Sequence, residues 1–174
     1  MTPKLRFFLT LFVVTLLVDQ VTKGLVAWSL PYGDQSEVLR GFFYLTHVRN
    51  PGAAFSFLAD QPAWFRQPFF IGVTGVAIFI IISFYRRLAP GDRLSAFALG
   101  AILGGAVGNL LDRLFRSDQL FHGEVVDFLH FILWGGYAWP DFNFADTFIV
   151  CGVALLVLEL FATEGESRAD PART

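Results

Sequence analysis

Four long apolar segments alternate with shorter polar segments along the chain. The apolar segments cover residues 7 to 30, 68 to 85, 95 to 115 and about 142 to 162. Each is close to the ~20 residues that a helix needs to cross the hydrocarbon core of a bilayer. The pattern therefore predicts a membrane α-helical fold with four transmembrane helices in one domain, residues 1 to 163. The polar residues 164 to 174 are predicted to form a disordered tail.

Two of the polar segments between the predicted helices contain strand-like sequence. Residues 38 to 48 are rich in β-branched and aromatic side chains and are interrupted by Gly41, and residues 124 to 128 alternate polar and apolar positions. Both segments predict short strands of a small β-element. Residues 60 to 68 combine aromatic side chains with Pro, Gln and Arg. That mixture predicts a short helix lying along the membrane interface.

The composition and the basic residues support a membrane location and suggest an orientation. With 55% hydrophobic residues, 16% charged residues and 21 Phe, the chain is more apolar than a soluble domain of its size requires. Residues 117 to 140 contain no Lys or Arg, whereas basic side chains flank the first predicted helix and the link between the second and third. By the positive-inside rule both termini are cytoplasmic, and residues 31 to 67 and 117 to 141 face outward as an extracytoplasmic region. The basic residues concerned are Lys4, Arg6, Arg86, Arg87 and Arg93.

Charge and histidine spacing argue against several classes of function. The net charge is −2, and no basic or acidic run is long enough to indicate a nucleic-acid partner. The three histidines lack the HExxH spacing of a zinc site, and only Asp127 with His130 forms a weak metal candidate. No glycine pattern typical of nucleotide binding is present. We therefore expect no metal and no cofactor.

Polar side chains interrupt the apolar segments at matching positions. Asp19 and Lys23 are four residues apart, which places them on one helix face as an internal ion pair. Asn109, Asp112 and Arg113 also share a helix face, and Asn143 precedes Asp146 by three residues. All these groups belong to the same half of their helices. A polar group that faces lipid would be unsatisfied, so the pattern predicts a common polar cavity.

Asp127 and Asp146 lie at the edges of apolar segments and are the leading candidates for chemistry, but other interpretations remain open. Asp127 could be a solvated turn residue, and Asp146 could simply stabilise the first turn of a helix. Asp19 and Asp112 could be structural ion-pair partners. Alternatively, Asp19, Asp112 and Asp146 could form the proton relay of a small proton-coupled transporter or channel. A non-enzymatic membrane scaffold is a third interpretation.

Five short sequence words, in order, bear a resemblance to one family. They are DQVTK at 19 to 23, NPGAAFSF at 50 to 57, GGAVGNLLDR at 104 to 113, VVDF at 125 to 128 and FNFAD at 142 to 146. Together they resemble the lipoprotein signal peptidases, also called signal peptidase II, of bacterial membranes. The resemblance covers roughly residues 5 to 162.

The resemblance implies an intramembrane aspartic endopeptidase of the bacterial cytoplasmic (inner) membrane. Such an enzyme removes the signal peptide from a diacylglyceryl-modified prolipoprotein and cleaves just before the lipidated cysteine. Asp127 and Asp146 match the catalytic pair. We expect a monomer that meets its substrate in membrane lipid, although the sequence itself leaves the oligomeric state open. Nine further residues match positions that bind substrate or support the catalytic pair: Asp19, Lys23, Asn50, Gly52, Asn109, Asp112, Arg113, Asn143 and Ala145.

Overall fold

A computed structural model describes residues 1 to 52 and 57 to 169, except for the side chains of residues 163 to 169. The four predicted transmembrane helices are confirmed as elements long and apolar enough to cross a membrane. Residues 164 to 169 continue the last helix and so differ from the predicted disordered tail, whereas residues 170 to 174 lie outside the described residues. The helices are α1 (Pro3–Ser29), α2 (Ala63–Arg87), α3 (Arg93–Phe115) and α4 (Phe144–Ala169).

Helix α3 forms the centre of the bundle and contacts the other three helices. Its glycines allow backbones to approach closely, as small residues do between membrane helices. A Cβ atom on Gly100 or Gly104 would collide with the backbone of α1, and one on Gly105 would lie 2.5 Å from the carbonyl oxygen of Ala145 in α4. These glycines therefore form a packing surface between α3 and its neighbours.

The outer faces of the helices carry large apolar side chains that suit contact with lipid. In α2, for example, Phe79 is 71% exposed and Val76 is 60% exposed. Burial is concentrated instead on α3, where 56% of the most apolar stretch of 18 residues is buried inside the protein. Such an arrangement, with apolar surface outside and small residues inside, is that of a bundle solvated by hydrocarbon.

A four-stranded antiparallel sheet lies at the end of the bundle where α1 and α3 end and α2 and α4 begin. The predicted strand at 38 to 48 is two strands, which turn at Gly41 with a φ of +68°. The strand predicted at 124 to 128 is longer than expected. The strands, in the order in which they pair, are β1 (Gln35–Leu39), β2 (Phe43–Asn50), β3 (Val125–Ile132) and β4 (Ala138–Phe142).

Two features of this end of the molecule differ from the sequence analysis. Strand β4 was not predicted, because Pro140 argues against a strand unless that strand lies at a sheet edge, as β4 does. The predicted short interfacial helix at 60 to 68 is wrong as a separate element, since residues 63 to 68 form the first turns of α2. Pro62, with its fixed φ, lies directly before the helix, and the helix continues from these turns into the apolar segment that begins at residue 68.

Strand β3 joins the sheet to the bundle. Val126 and Phe128 are almost fully buried and pack with Val26 of α1. Because side chains alternate across a strand, Asp127 between them points to the opposite face. The same packing that anchors the sheet therefore directs Asp127 toward the start of α4.

Candidate active site

Asp127 is held in β3 by two side-chain amides. Asn50, at the end of β2, donates through Nδ2 to Asp127 Oδ2 at 2.9 Å. Asn143 donates through Nδ2 to Asp127 Oδ1 at 2.6 Å. Asp127 is only 2% exposed, so these two donors replace the water that would otherwise solvate the carboxylate.

Asp146 lies in the first turn of α4 and is held by a reciprocal pair of bonds with Asn143. The backbone N–H of Asp146 donates to Asn143 Oδ1 at 3.0 Å, and the backbone N–H of Asn143 donates to Asp146 Oδ2 at 3.2 Å. This is the arrangement of a helix capping box, in which two otherwise unpaired N–H groups are satisfied. The second oxygen, Asp146 Oδ1, accepts from Asn109 Nδ2 at 2.9 Å.

Asn143 therefore connects the two candidate catalytic acids. Its side-chain Nδ2 bonds to Asp127 and also lies 3.3 Å from Asn109 Oδ1. Asn143 is completely buried. A single fixed amide thus positions Asp127 and Asp146 relative to each other.

A buried cluster of charges lies behind this pair. Lys23 Nζ is 2.9 Å from Asp19 Oδ2 and 2.9 Å from Asp112 Oδ2, and it donates to Asn109 Oδ1 at 2.7 Å. The side chains of Lys23, Asp19 and Asp112 have no exposed surface. A lysine ammonium can only donate, so the carbonyl of Asn109 must face Lys23 and its NH2 group must face Asp146.

The charged cluster is also bonded to the backbone of the segments that carry the two acids. Asp19 Oδ1 accepts from the backbone N–H of Ala145 at 3.0 Å. Asp112 Oδ2 accepts from the backbone N–H of Val126 at 3.3 Å. These residues immediately precede Asp146 and Asp127, so the buried ions fix both backbone segments.

Arg113 holds the turn that follows β2. Its guanidinium donates to the carbonyl oxygen of Gly52 and, at 3.4 Å, to that of Pro51. The guanidinium also lies 4.5 Å from the centre of the Phe70 ring, a cation–π contact. The N–H of Gly52 in turn donates to Asn50 Oδ1 at 2.9 Å, which orients the Asn50 amide toward Asp127. Residues 53 to 56 lie outside the described residues.

The structure brings all eleven residues singled out in the sequence analysis into this one network. It shows Asp19 and Asp112 as ion-pair partners of Lys23, an arrangement that differs from a relay running across the bundle. Two further members were not among the predicted site residues: Gln20 and Arg116. Arg116 follows Asp112 by four residues, and this spacing alone would have predicted the ion pair that they form.

The weak metal candidate is not supported by the geometry of β3. Asp127 and His130 are three residues apart in a strand and so belong to opposite faces. His130 Nδ1 instead lies 3.2 Å from Asp141 Oδ1. Within residues 1 to 52 and 57 to 169 no group of three or more His, Cys, Asp or Glu side chains is arranged to hold a metal ion.

The environment of Asp127 favours a proton near neutral pH. Burial, followed by the nearby charge of Asp146, raises the pKa of Asp127 to about 7, and the amide donors of Asn50 and Asn143 only partly oppose this rise. Because the charge of Asp146 contributes to this rise, the two acids titrate as a coupled pair instead of independently. The arrangement can therefore supply an acid and a base at the same pH.

Comparisons with known proteins agree on one family. The model of the family described as signal peptidase (SPase) II matches residues 11 to 162. The lipoprotein signal peptidase of Geobacter metallireducens is 44% identical over 98% of this chain and 99% of its own. That of Aeromonas hydrophila is 42% identical over 94% and 93%. That of Bacillus pumilus is 40% identical over 88% and 92%.

Two solved structures described as bacterial membrane enzymes have the same fold. The first gives a TM-score of 0.78 at 30% sequence identity and covers 91% of this chain and 90% of that chain. The second gives a TM-score of 0.75, again at 30% identity, and covers 88% and 91%. Sequence and fold lead to one conclusion: the chain belongs to the signal peptidase II family of bacterial membrane proteases.

Proposed function

We propose that this protease removes the signal peptide from diacylglyceryl-modified prolipoproteins, with Asp127 and Asp146 as the catalytic pair. The family relationship makes the chain a lipoprotein signal peptidase. The observation that supports the assignment of the pair is the Asn143 bridge. Asn143 bonds to Asp127 through its side chain and to Asp146 through both its backbone and its side chain.

In the proposed reaction the pair carries one proton and one negative charge. The ionised carboxylate takes a proton from a water molecule as the water oxygen bonds to the scissile carbonyl carbon. The protonated carboxyl donates its proton to the carbonyl oxygen, which gives a neutral tetrahedral intermediate. The intermediate then loses a hydroxyl proton to the pair, its C–N bond breaks, and the pair protonates the departing amine. The products are a signal peptide with a new carboxyl terminus and a lipoprotein with a free amino group on its cysteine.

The neighbours of the pair have positioning roles in this proposal. Asn50, Asn109 and Asn143 donate to the carboxylate oxygens and hold them in place, which is the preorganisation that catalysis requires. Lys23, Asp19 and Asp112 fix Asn109 and the backbone beside each acid. Arg113 and Gly52 orient Asn50. Ala145 is fully buried, and its backbone carbonyl packs closely against Gly105 of α3.

We further propose that the active site lies near the outer face of the cytoplasmic membrane and that both termini are cytoplasmic. The basic residues of the α2–α3 link belong to the opposite end of the bundle from the sheet and the two acids. A precursor anchored by acyl chains and a signal helix would present its cleavage point at the depth of the acids. The enzyme would then act as a monomer on a substrate that stays in the bilayer, without a metal or cofactor.

The test is cleavage by the purified protein of one precursor in two forms, with and without the diacylglyceryl group on its cysteine. Confinement of the scissile bond to the depth of the acids lowers the entropic barrier, so we expect the lipid-modified form to be cleaved at least ten-fold faster. The difference should persist in detergent, where a difference between the two forms in membrane partitioning cannot explain it. Equal rates for the two forms would contradict lipid-directed positioning.

A further inference from the structure

An arginine at the end of α3 contacts the buried ion cluster from the side away from Asp146. Arg116 Nε lies 2.6 Å from Asp112 Oδ1, and a terminal nitrogen of the same guanidinium donates to Gln20 Oε1 at 3.3 Å. The Arg116 side chain is 21% exposed, whereas that of Asp112 has no exposed surface. Arg116 is thus the point at which the buried cluster meets solvent.

Among the charged groups in direct contact within the cluster, the charges balance only when Arg116 is included. Lys23 supplies one positive charge to two carboxylates, Asp19 and Asp112. The guanidinium of Arg116 brings the formal charge of the four groups to zero. Charge balance matters here because the three inner groups are shielded from water. An uncompensated charge is strongly disfavoured in such a buried environment.

Gln20 connects the members of the cluster across α1 and α3. Its Nε2 lies 3.1 Å from Asp19 Oδ2, 3.3 Å from Asp112 Oδ1 and 3.0 Å from the carbonyl oxygen of Gly108. Its Oε1 accepts from Arg116. Gln20 therefore holds the guanidinium beside Asp112 and shares in satisfying both carboxylates.

Whether the charge of Asp112 is neutralised determines how Lys23 divides its hydrogen bonds among its acceptors. An ammonium group has three donors, and Lys23 directs them to Asp19, Asp112 and Asn109. Without Arg116, the full charge of Asp112 would draw the ammonium toward itself and weaken its bond to Asn109. The Asn109 amide, no longer fixed, would then support Asp146 less well.

We propose that Arg116, anchored by Gln20, is a positioning residue for the catalytic pair. It neutralises Asp112 and so leaves Lys23 free to fix Asn109 against Asp146. The inference rests on the proposed function, since it assigns Arg116 a role in the same reaction. Arg116 touches neither acid of the pair and acts only through Asp112, Lys23 and Asn109.

The surroundings of Arg116 supply a matched control. Arg116 lines a groove of about 720 Å³, and Arg49 in the same groove donates to the backbone carbonyl of Arg116 at 3.2 Å. Asp118, His122 and Glu124 also line the groove, so both arginines face the same set of ionisable groups. Arg49→Gln removes a positive charge from the groove without uncovering Asp112.

The experiment compares Arg116→Gln, Arg116→Lys and Arg49→Gln with the wild type, measuring kcat and KM for a lipid-modified precursor from pH 5 to pH 9. We expect Arg116→Gln to lower kcat at least ten-fold and to change KM less than two-fold. Its pH–rate profile should move to higher pH as a whole, because a net negative cluster disfavours ionisation of the nearby acids. Arg116→Lys should restore the wild-type profile, and Arg49→Gln should keep it.

A wild-type kcat and profile in Arg116→Gln would overturn the inference, as would an equal displacement of the profile in Arg49→Gln. If Arg116→Gln does not fold, Gln20→Met removes the second anchor of the guanidinium and should move the profile in the same direction by a smaller amount. An unchanged profile in Gln20→Met would then overturn the inference. Failure of the proposed function is distinguishable, because in that case the wild type itself would show no cleavage that depends on Asp127.

Discussion

Asn143 contacts both aspartates through different atoms, and this explains why an asparagine is needed at that position. Its amide nitrogen donates to Asp127 while its amide oxygen caps the N–H of Asp146. An aspartate there could accept from Asp146 but could not donate to Asp127 without carrying a proton. A serine would offer one oxygen in place of two separate atoms. The side-chain amide of asparagine supplies both an oxygen that accepts from the N–H of Asp146 and an NH2 group that donates to Asp127.

The pKa of Asp127 predicts how activity depends on pH. A pKa of about 7 means that the pair keeps its shared proton up to neutral pH and loses it above. The protonated acid is required to donate to the scissile carbonyl, so kcat/KM should fall close to ten-fold per pH unit above roughly pH 7 to 8. Rates measured with a lipid-modified precursor in a constant-ionic-strength buffer series would check this. A rate that stays constant to pH 9.5 would contradict the pKa and its assigned role.

At the residue scale, polar groups in or beside apolar segments indicated the two acids and six of their neighbours: Asp19, Lys23, Asn109, Asp112, Arg113 and Asn143. The other three, Asn50, Gly52 and Ala145, came only from the family resemblance. Sequence reasoning did not find how these residues connect. The orientation of the Asn109 amide depends on Lys23, which lies on another helix, and this cannot be read from spacing within one segment. Arg116 was overlooked for a different reason: at the end of an apolar segment, an arginine is the ordinary residue at a membrane boundary.

At the scale of the elements, apolar length was sufficient to predict the helices, whereas the sheet was only partly predictable. The pairing of β2 with β3 joins residues about 80 positions apart, and no local pattern carries that information. Strand β4 contains Pro140 and is recognisable only once its edge position is known. The start of α2 was likewise hidden, because residues 63 to 68 are polar enough to suggest a separate interfacial element.

The close contact between α3 and α4 gives a prediction at this scale. A Cβ atom on Gly105 would lie 2.5 Å from the carbonyl oxygen of Ala145, so Gly105→Ala must separate the two backbones. We expect a loss of about 1 to 3 kcal/mol in stability, as for other overpacked sites, together with reduced activity because Asp146 moves with Ala145. Thermal unfolding in detergent and a cleavage assay measure the two effects.

Gly75→Ala in α2 is the matched control for that substitution. No heavy atom lies within 4 Å of the position that its Cβ would occupy, apart from its own helix and chain neighbours. Alanine favours a helix over glycine by ~1 kcal/mol, so Gly75→Ala should leave stability unchanged or slightly raised. Equal destabilisation by both substitutions would mean that α3 and α4 are not in the close contact described.

At the scale of the whole molecule, the arrangement collects every ionisable group of the candidate site at one end of an apolar bundle. Helix α3 supplies Asn109, Asp112 and Arg113, and among the described helices it makes the most extensive contacts with the others. The sheet closes the same end and brings Asp127 to α4. A local change in α3 is therefore expected to affect both acids, whereas α2 packs mainly against α3 and contributes no acid to the pair.

The proposed orientation predicts which positions can be labelled from outside the cell. In a Cys151→Ala background, which removes an exposed thiol, Ser36→Cys and Ser117→Cys should react with a membrane-impermeant thiol reagent. Gly91→Cys, in the link between α2 and α3, should react only after the membrane is permeabilised. Labelling of Gly91→Cys in intact cells, with Ser36→Cys and Ser117→Cys protected, would place the two acids on the cytoplasmic side.

The most direct measurement is the turnover of a lipid-modified precursor by Asp127→Asn, Asp146→Asn and the double variant, each purified in the same detergent as the wild type. Residues that act as a unit in catalysis are not additive, so each single variant should lose at least 10³-fold in kcat and the double variant should be hardly slower. Thermal unfolding should confirm that all three variants are folded. Substantial cleavage by a folded Asp127→Asn or Asp146→Asn variant would contradict the assignment of these two residues as the catalytic pair.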